Sequence, residues 1–452
     1  MKKLIALLLA LVMVFALAAC GQQAAPAAPA APAAEPAAEP AAEPAAEPAA
    51  EPAAAGEIVI NFPSIWVGTD SKSAYMAKLI DDFNAENAGA IKVVVEEQTD
   101  YQAYRDKIRT VITTGNAPDL CILDATYDIQ ALMKSGKFLD LTPYLDQGWG
   151  DDFEDGVFDA WSVDGKVSIL PFEAAVFTPI YNTKIFNEIG WDHFPATYDE
   201  FFQFCEDAKA KGYNAMGQMA GENGWSSMLW YSLIAEAIGG ENVYADGLDN
   251  PAFVQAAEVL KRMYDYTFDG AVSAGAGDVN GHWIGRDTAI YLNGPWWIAN
   301  LYKEDNAVDG VLLADDCDVA LNPTYEGGLG APDGVVTTVQ AFFAAAKQDD
   351  PAKEAAVVKF LQYITDPVKV KELALDSGSM FFLKNTQPED ASEIAQKVYD
   401  VYNNRSYAVI HVDGAFPPAF TSEFPSALAA LINGEVDAQG FVDQLQEAID
   451  MA

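Results

Sequence analysis

The stretch "LNGPWWIANL" sets Trp296 beside Trp297, directly after Gly294 and Pro295. Adjacent residues on a helix point about 100° apart, so two indoles there cannot share one core stripe. An indole offers a flat apolar face and one N–H donor. Saccharide rings carry the complementary chemistry, apolar C–H faces and polar hydroxyls, and carboxylates or amides serve the hydroxyls. Several further residues could act in such a site. Trp66, in "PSIWVGTD", follows the first strand-like segment, and Asp124 ends the third, where parallel sheets open at their C-terminal ends. Asp124 could equally cap the next segment. Glu173, in "PFEAAVF", could accept hydroxyl protons or simply be exposed. Trp225 and Trp230, in "ENGWSSMLWYSL", lie five apart, and the glycine before Trp225 favours it as the ligand-facing one.

Hydrolysis of a glycosidic bond needs two carboxylates flanking it. With 67 acidic residues some pair will always look suitable, so none is singled out. The chain has no G-x-S-x-G, H-E-x-x-H or P-loop pattern, and His193, His282 and His411 stand far apart. Of the four cysteines, Cys121 reads as part of a buried strand and Cys205 as part of a helix stripe. No zinc or redox spacing is present, and no cofactor or metal is expected. A net charge of −41 repels nucleic acid and anionic membrane surfaces.

Residues 1–19 have a basic start, an apolar run and small residues at the end, as a signal peptide does. Leu17-Ala18-Ala19-Cys20 resembles a bacterial lipobox, which implies cleavage before Cys20 and a lipid on its sulfur. The run from residue 20 to 56 is rich in Ala, Pro and Glu, with AAEP repeating between Ala33 and Pro52. Proline at every fourth position removes helix hydrogen bonds. Extended as polyproline II, this tether would reach roughly 100 Å.

A body of 57–452 must position the candidate residues. "EIVINF", "IKVVVEEQ" and "PDLCILD" read as strands, alternating with the amphipathic "SAYMAKLIDDFNAEN" and "YQAYRDKIRTVITTG". That is β-α-β-α-β, the pattern of a helix-covered parallel sheet. "WSVDGKVSILP" predicts a hairpin at Asp164-Gly165, and "AAVFTPIYNTKIF" a strand running on from it. "PATYDEFFQFCEDAKAKG" predicts a helix, with Thr197 and Glu200 at capping-box spacing. "TAIYLNGPWW" reads as strand, turn and helix start. Gly294 is expected to permit a tight turn and Pro295 to occupy the first helical position. "DPAKEAAVVKFLQYITD" and "PVKVKELALDSG" read as consecutive helices.

Six segments in order resemble the bacterial extracellular solute-binding proteins of family 1, the group containing the maltodextrin binders. They are "TTGNAPDLCIL", "LMKSGKFLDLTPYL", "DGKVSILPFEAAVFTPIYNTKIFNEIGW" with "PATYDEF", "GRDTAIYLNGPW", and the helix pair from Ala352 to Gly378. Tyr198 and Thr183 depart from the family's tryptophan and lysine. The resemblance implies an α/β, two-lobed type II periplasmic-binding-protein fold, with two parallel or mixed sheets and a hinge of crossing segments. Lobe 1 is expected at about 57–170 and 304–350, and lobe 2 at about 171–303 and 351–452. The resemblance also implies solute capture between the lobes, delivery to the permease subunits of an ABC importer, and no catalysis. A mono- or oligosaccharide is the expected solute; a secreted carbohydrate hydrolase and a binder of another polar solute are the alternatives. By the same resemblance Trp296 faces the cleft, Trp297 packs in its own lobe, and Phe420, in "FPPAFTSEF", matches a late aromatic of the maltodextrin binders. A monomer is expected, lipid-anchored on the extracytoplasmic face and touching membrane through that anchor alone.

Overall fold

The computed structural model describes residues 56–126 and 128–451. The signal peptide, Cys20 and the tether lie outside the described residues. Helices of seven or more residues are numbered below.

The start of the body folds in the expected order: β1 (Ile58–Ser64), α1 (Ser73–Glu86), β2 (Ile91–Glu97), α2 (Tyr101–Thr113), β3 (Leu120–Leu123). β1 and β2 pair in parallel from Ile58↔Ile91 to Ser64↔Glu97. The 3.6-residue period of α1 buries Met76, Leu79, Ile80 and Phe83 on one face. Asp100 starts α2 by accepting the Ala103 N–H at 2.8 Å, so one otherwise unpaired N–H is satisfied.

β4 (Leu170–Val176) and β5 (Thr178–Asn182) follow, separated only by Phe177. The expected continuous strand ends at Asn182, whose side chain accepts the Ile185 N–H at 2.9 Å and starts α3 (Thr183–Ile189). The Asp164-Gly165 turn forms with both residues at positive φ, but it closes a single bridge, Val163↔Lys166, rather than two strands. Then come α4 (Tyr198–Ala210), β6 (Asn214–Met216), α5 (Trp225–Gly239), α6 (Pro251–Met263), α7 (Ala276–Ile284) and β7 (Thr288–Asn293). β8 (Cys317–Val319), β9 (Val335–Ala345), α8 (Pro351–Ile364), α9 (Pro367–Ser377), β10 (Met380–Phe381), α10 (Glu393–Asn404), β11 (Ala408–Ile410), α11 (Pro418–Asn433) and α12 (Ala438–Met451) complete the body. Thr197 caps α4 by accepting the Glu200 N–H at 3.2 Å, while the Glu200 carboxylate accepts the Ala196 N–H.

β9 organises the molecule. β4 runs antiparallel along one of its edges, with β10 beyond. The other edge carries β11 at Val335–Thr337 and β3 at Phe342–Ala345. A separate mixed sheet has the order β6-β7-β5-β8. Chain therefore passes between the two sheets at Phe177, where its N–H donates to Val336 O at 3.0 Å.

Three hydrophobic cores result. The first joins Phe62, Phe83, Phe343 and Phe360; the second joins Phe201, Trp230, Tyr231, Phe424 and Phe441; the third joins Val176, Met219, Trp283, Tyr291 and Trp297. The expected assignment of 304–350 and 351–452 requires correction. β8 pairs with β5 in the second sheet, and its Cys317 and Val319 pack against the third core. α8 and α9 bury Val357, Phe360, Leu361, Val370 and Leu373 in the first. Their apolar stripe dictates burial against some sheet, but periodicity carries no information about which one.

Candidate functional site

A cleft of about 420 Å³ opens between the first core and the other two. That volume suits a small-molecule ligand. One wall comes from the C-terminal ends of β1, β2 and β3. Trp66 packs on Phe172 and edge-on to Phe343, at centroid distances of 5.8 and 5.5 Å. Lys72 Nζ stands 5.6 Å from its ring centroid. Asp124 forms an ion pair with Arg105 at 2.8 Å and accepts a hydrogen bond from the Tyr101 hydroxyl at 3.2 Å. Burial pushes the Asp124 carboxyl up, and Arg105 and Arg109 pull it back.

The facing wall is aromatic. Trp225 opens α5, and its indole lies 6.5 Å from that of Trp296 at 39°. Both indoles meet Phe177 edge-on, at 6.0 and 6.1 Å. The residue between the two sheets thus supports both aromatic faces. Gly294 serves differently from expectation. Its φ of −93° is open to any residue, so no special turn is needed. A Cβ there would come within 2.3 Å of the Trp296 ring. The glycine lets the indole fold back over the backbone. Pro295 does occupy the first position, although of a 3-10 turn, Pro295–Trp297. Trp297 turns away from the cleft, buried against Tyr291 at 4.7 Å.

The floor comes from Thr338, Val339 and Gln340 of β9, with Asp413 beside it. His411 is fully buried, with Phe177 at 5.4 Å and Trp225 at 4.9 Å, and its Nδ1 lies 2.7 Å from Asp413.

Four of the six residues expected to touch ligand therefore line the cleft: Trp66, Asp124, Trp225 and Trp296. Glu173 and Phe420 do not. Glu173 is 1% exposed and lies behind the wall as the counter-ion of Lys72, at 3.3 Å. Burial pushes its carboxyl up, against the pull of Lys72. For Lys72 burial acts downward, but Glu173 and Asp70 outweigh it and hold the ammonium above its ordinary value. Phe420 is wholly buried, stacked on Phe416 at 4.8 Å and near Phe424 at 5.8 Å. Aromatics four apart on one helix make a core stripe, and that signal outweighs the family position. Trp230 is likewise core, against Phe201. Sequence reasoning missed Lys72, Tyr101, Arg105, Glu222 and Asp413. Tyr101 and Arg105 stand four apart at the start of α2, just past a strand end, and that placement was available as a signal.

The family model for bacterial extracellular solute-binding proteins matches residues 78–398. The chain belongs to this family. As a bacterial extracellular solute-binding protein it has curated and structural relatives. The diacetylchitobiose binding protein DasA of Streptomyces coelicolor is 23% identical over 341 residues, 65% of this chain and 77% of that one. A structure from work on xylan utilisation by the thermophilic bacterium Caldanaerobius polysaccharolyticus aligns with a TM-score of 0.76 and 22% identity, over 87% of this chain and 100% of that one. A chitin oligosaccharide binding protein aligns with a TM-score of 0.74 and 20% identity, over 88% and 99%. The solute-binding protein therefore has the type II periplasmic-binding fold, and its family works outside the cytoplasm by binding. Among the described residues no helix is long and apolar enough to cross a membrane.

Proposed function

We propose that this solute-binding protein captures a saccharide between its two walls, without cleaving it, and delivers it to the permease of an ABC importer. The carrying observation is the pair of indoles, Trp225 and Trp296, facing Asp124, Arg105 and Tyr101 across one cleft. Indole faces cover ring C–H surfaces, and the charged and hydroxyl groups opposite take ring hydroxyls. The relatives named for diacetylchitobiose and chitin oligosaccharide support this choice of solute. In this reading the lobes meet at Phe177 and at Val336–Thr337 of β9. A solute touching both walls binds the closed form better and shifts the equilibrium toward it. Lipid on Cys20 holds the body at the outer face of the membrane.

The test is calorimetric titration of the body with chito-, xylo-, malto- and raffinose-type saccharides, with chromatography of each sugar afterwards. The expected result is saturable binding of at least one, recovered intact. Conversion to shorter sugars would replace capture with hydrolysis, and absence of binding throughout would remove the saccharide reading.

A further inference from the structure

The cleft sorts its charges unevenly. Its cations are Lys72 and Arg105; its carboxylates are Asp70, Asp124, Glu222 and Asp413. Both cations are already neutralised. Lys72 Nζ lies 3.3 Å from Glu173 and 3.5 Å from Asp70, and Arg105 lies 2.8 Å from Asp124. Two carboxylates face the cleft with no Lys or Arg nitrogen within 4.0 Å among the described residues, although the Arg105 charge, paired with Asp124, reaches Asp413 from farther off. Asp413 has His411 as its close partner. The exposed Glu222 accepts the Ala276 N–H at 3.2 Å, and among the described residues no Lys, Arg or His nitrogen lies within 4.0 Å of it.

Glu222 is placed there by backbone that resists the placement. Its φ is +51°, a left-handed conformation that side-chain-bearing residues seldom adopt. The other positive-φ residues with side chains, Asp164, Arg286, Asp309 and Asn385, all lie off the cleft. Opposite it, a Cβ on Gly275 would come within 2.0 Å of the Glu222 carboxylate. A bare glycine thus makes room for this acid. Strain of this kind persists where the surroundings over-determine it, and it gathers at functional sites.

We infer that the cleft is a charge filter, selecting saccharides that carry a protonated amine and rejecting those that carry a carboxylate. The inference rests on the saccharide reading above. An ammonium entering between the indoles meets two aromatic faces and the carboxylates of Glu222 and Asp413. A uronate meets the same carboxylates with no free counter-ion, and it would have to break Lys72–Glu173 or Arg105–Asp124 to gain one. The −41 charge of the whole chain adds a long-range field of the same sign.

The probes are α-1,4- and β-1,4-linked gluco-configured tetrasaccharides, each as neutral glucan, glucosamine oligomer and glucuronate oligomer. Titrations run on the wild-type protein at low and high salt, at a pH where the amine is protonated and the carboxylates are ionised. The glucosamine oligomer should bind at least about tenfold tighter than the glucuronate oligomer of the same linkage, and that margin should shrink at high salt. Glu222→Gln keeps the bond from Ala276, and with Asp413→Asn it should shrink the margin further. A uronate that binds as well as the amine overturns the filter and leaves saccharide capture standing. A margin untouched by both substitutions overturns the assignment to these carboxylates. If no member of either series binds, the filter falls, and saccharide capture is then decided by the titrations with chito-, xylo-, malto- and raffinose-type saccharides.

Discussion

Within Gly294-Pro295-Trp296-Trp297, the residues Gly294, Trp296 and Trp297 have three different jobs, and substitution can separate them. Trp296→Ala removes an aromatic face from the cleft. Aromatic pairing contributes about 0.5–1.5 kcal/mol beyond area burial, so solute affinity should fall at least about tenfold. Trp297→Ala empties a site against Tyr291 and should cost about 3–5 kcal/mol of folding stability. Titration and denaturant melts of both variants check the division. Normal solute affinity in Trp296→Ala would sink it. Gly294→Ala adds one methyl where the indole folds back, so it should weaken binding as Trp296→Ala does. Glu236 offers a separate titration. It is 1% exposed and bonded to the Tyr407 hydroxyl, and burial raises its carboxyl above the ordinary 4.5 against the pull of Tyr407 and Asn322. Above about 4.5 the folded state therefore keeps a proton that the unfolded chain has released, so Glu236 makes stability fall as pH rises through that window. Glu236→Gln lacks this ionisation. Its stability relative to wild type should be flat below about pH 4.5, grow above it, and level off past the folded pKa. Urea melts across pH measure the difference; a constant offset at every pH would contradict the assigned direction.

Among the elements, the loop from Ile65 to Lys72 carries Trp66 into the cleft and is pinned to β4 by Lys72–Glu173. Both partners are at most 3% exposed. Breaking such a pair strands a buried charge and costs about 3–5 kcal/mol, whereas an apolar replacement of both can be neutral. Glu173→Gln should therefore unfold at clearly lower urea, and Lys72→Met with Glu173→Leu should recover most of the loss. A double variant no more stable than Glu173→Gln alone would show that the pair is not the pin. At this scale local signals read well. Thr197, read as a cap from its spacing to Glu200, accepts the Glu200 N–H where α4 starts, because a cap acts within three residues. Partner choice reads poorly. Lys72 and Glu173 are 101 residues apart, so Glu173 looked like a free cleft acid until the fold supplied its ammonium.

For the whole molecule, the three cores meet through strands that continue from one to the next. β4 and β5 differ by the single residue Phe177, and β9 pairs with β11 at one end and β3 at the other. On the proposed reading, a hinge there would let the walls approach while each core stays packed. Small-angle scattering should show a smaller radius of gyration with a tightly bound saccharide, and an unchanged radius would count against closure. The anchor belongs to this scale too, although Cys20 lies outside the described residues. Cys20→Ala should shift the protein from the membrane fraction to the medium or leave it unprocessed. A variant still carrying lipid in the membrane fraction would refute the anchor.

By itself the sequence determined what depends on near neighbours. The β-α-β-α-β order, the Thr197 cap and the amphipathic stripe of α1 are patterns of adjacent or periodic residues, and the six family segments add their order. Trp66, Asp124, Trp225 and Trp296 were legible as candidates because each sits at a strand end or helix start, where side chains leave the sheet. Tertiary structure alone decided which of them share a cleft, that Phe420 belongs to a core stripe, and that α8 and α9 cover the first core. It also gave Gly294 its reason, since the indole lies over that backbone while its φ stays ordinary. The physical cause is common to all four. Burial and close approach are properties of pairs distant in sequence, and an apolar period states that a face must be buried without stating against what.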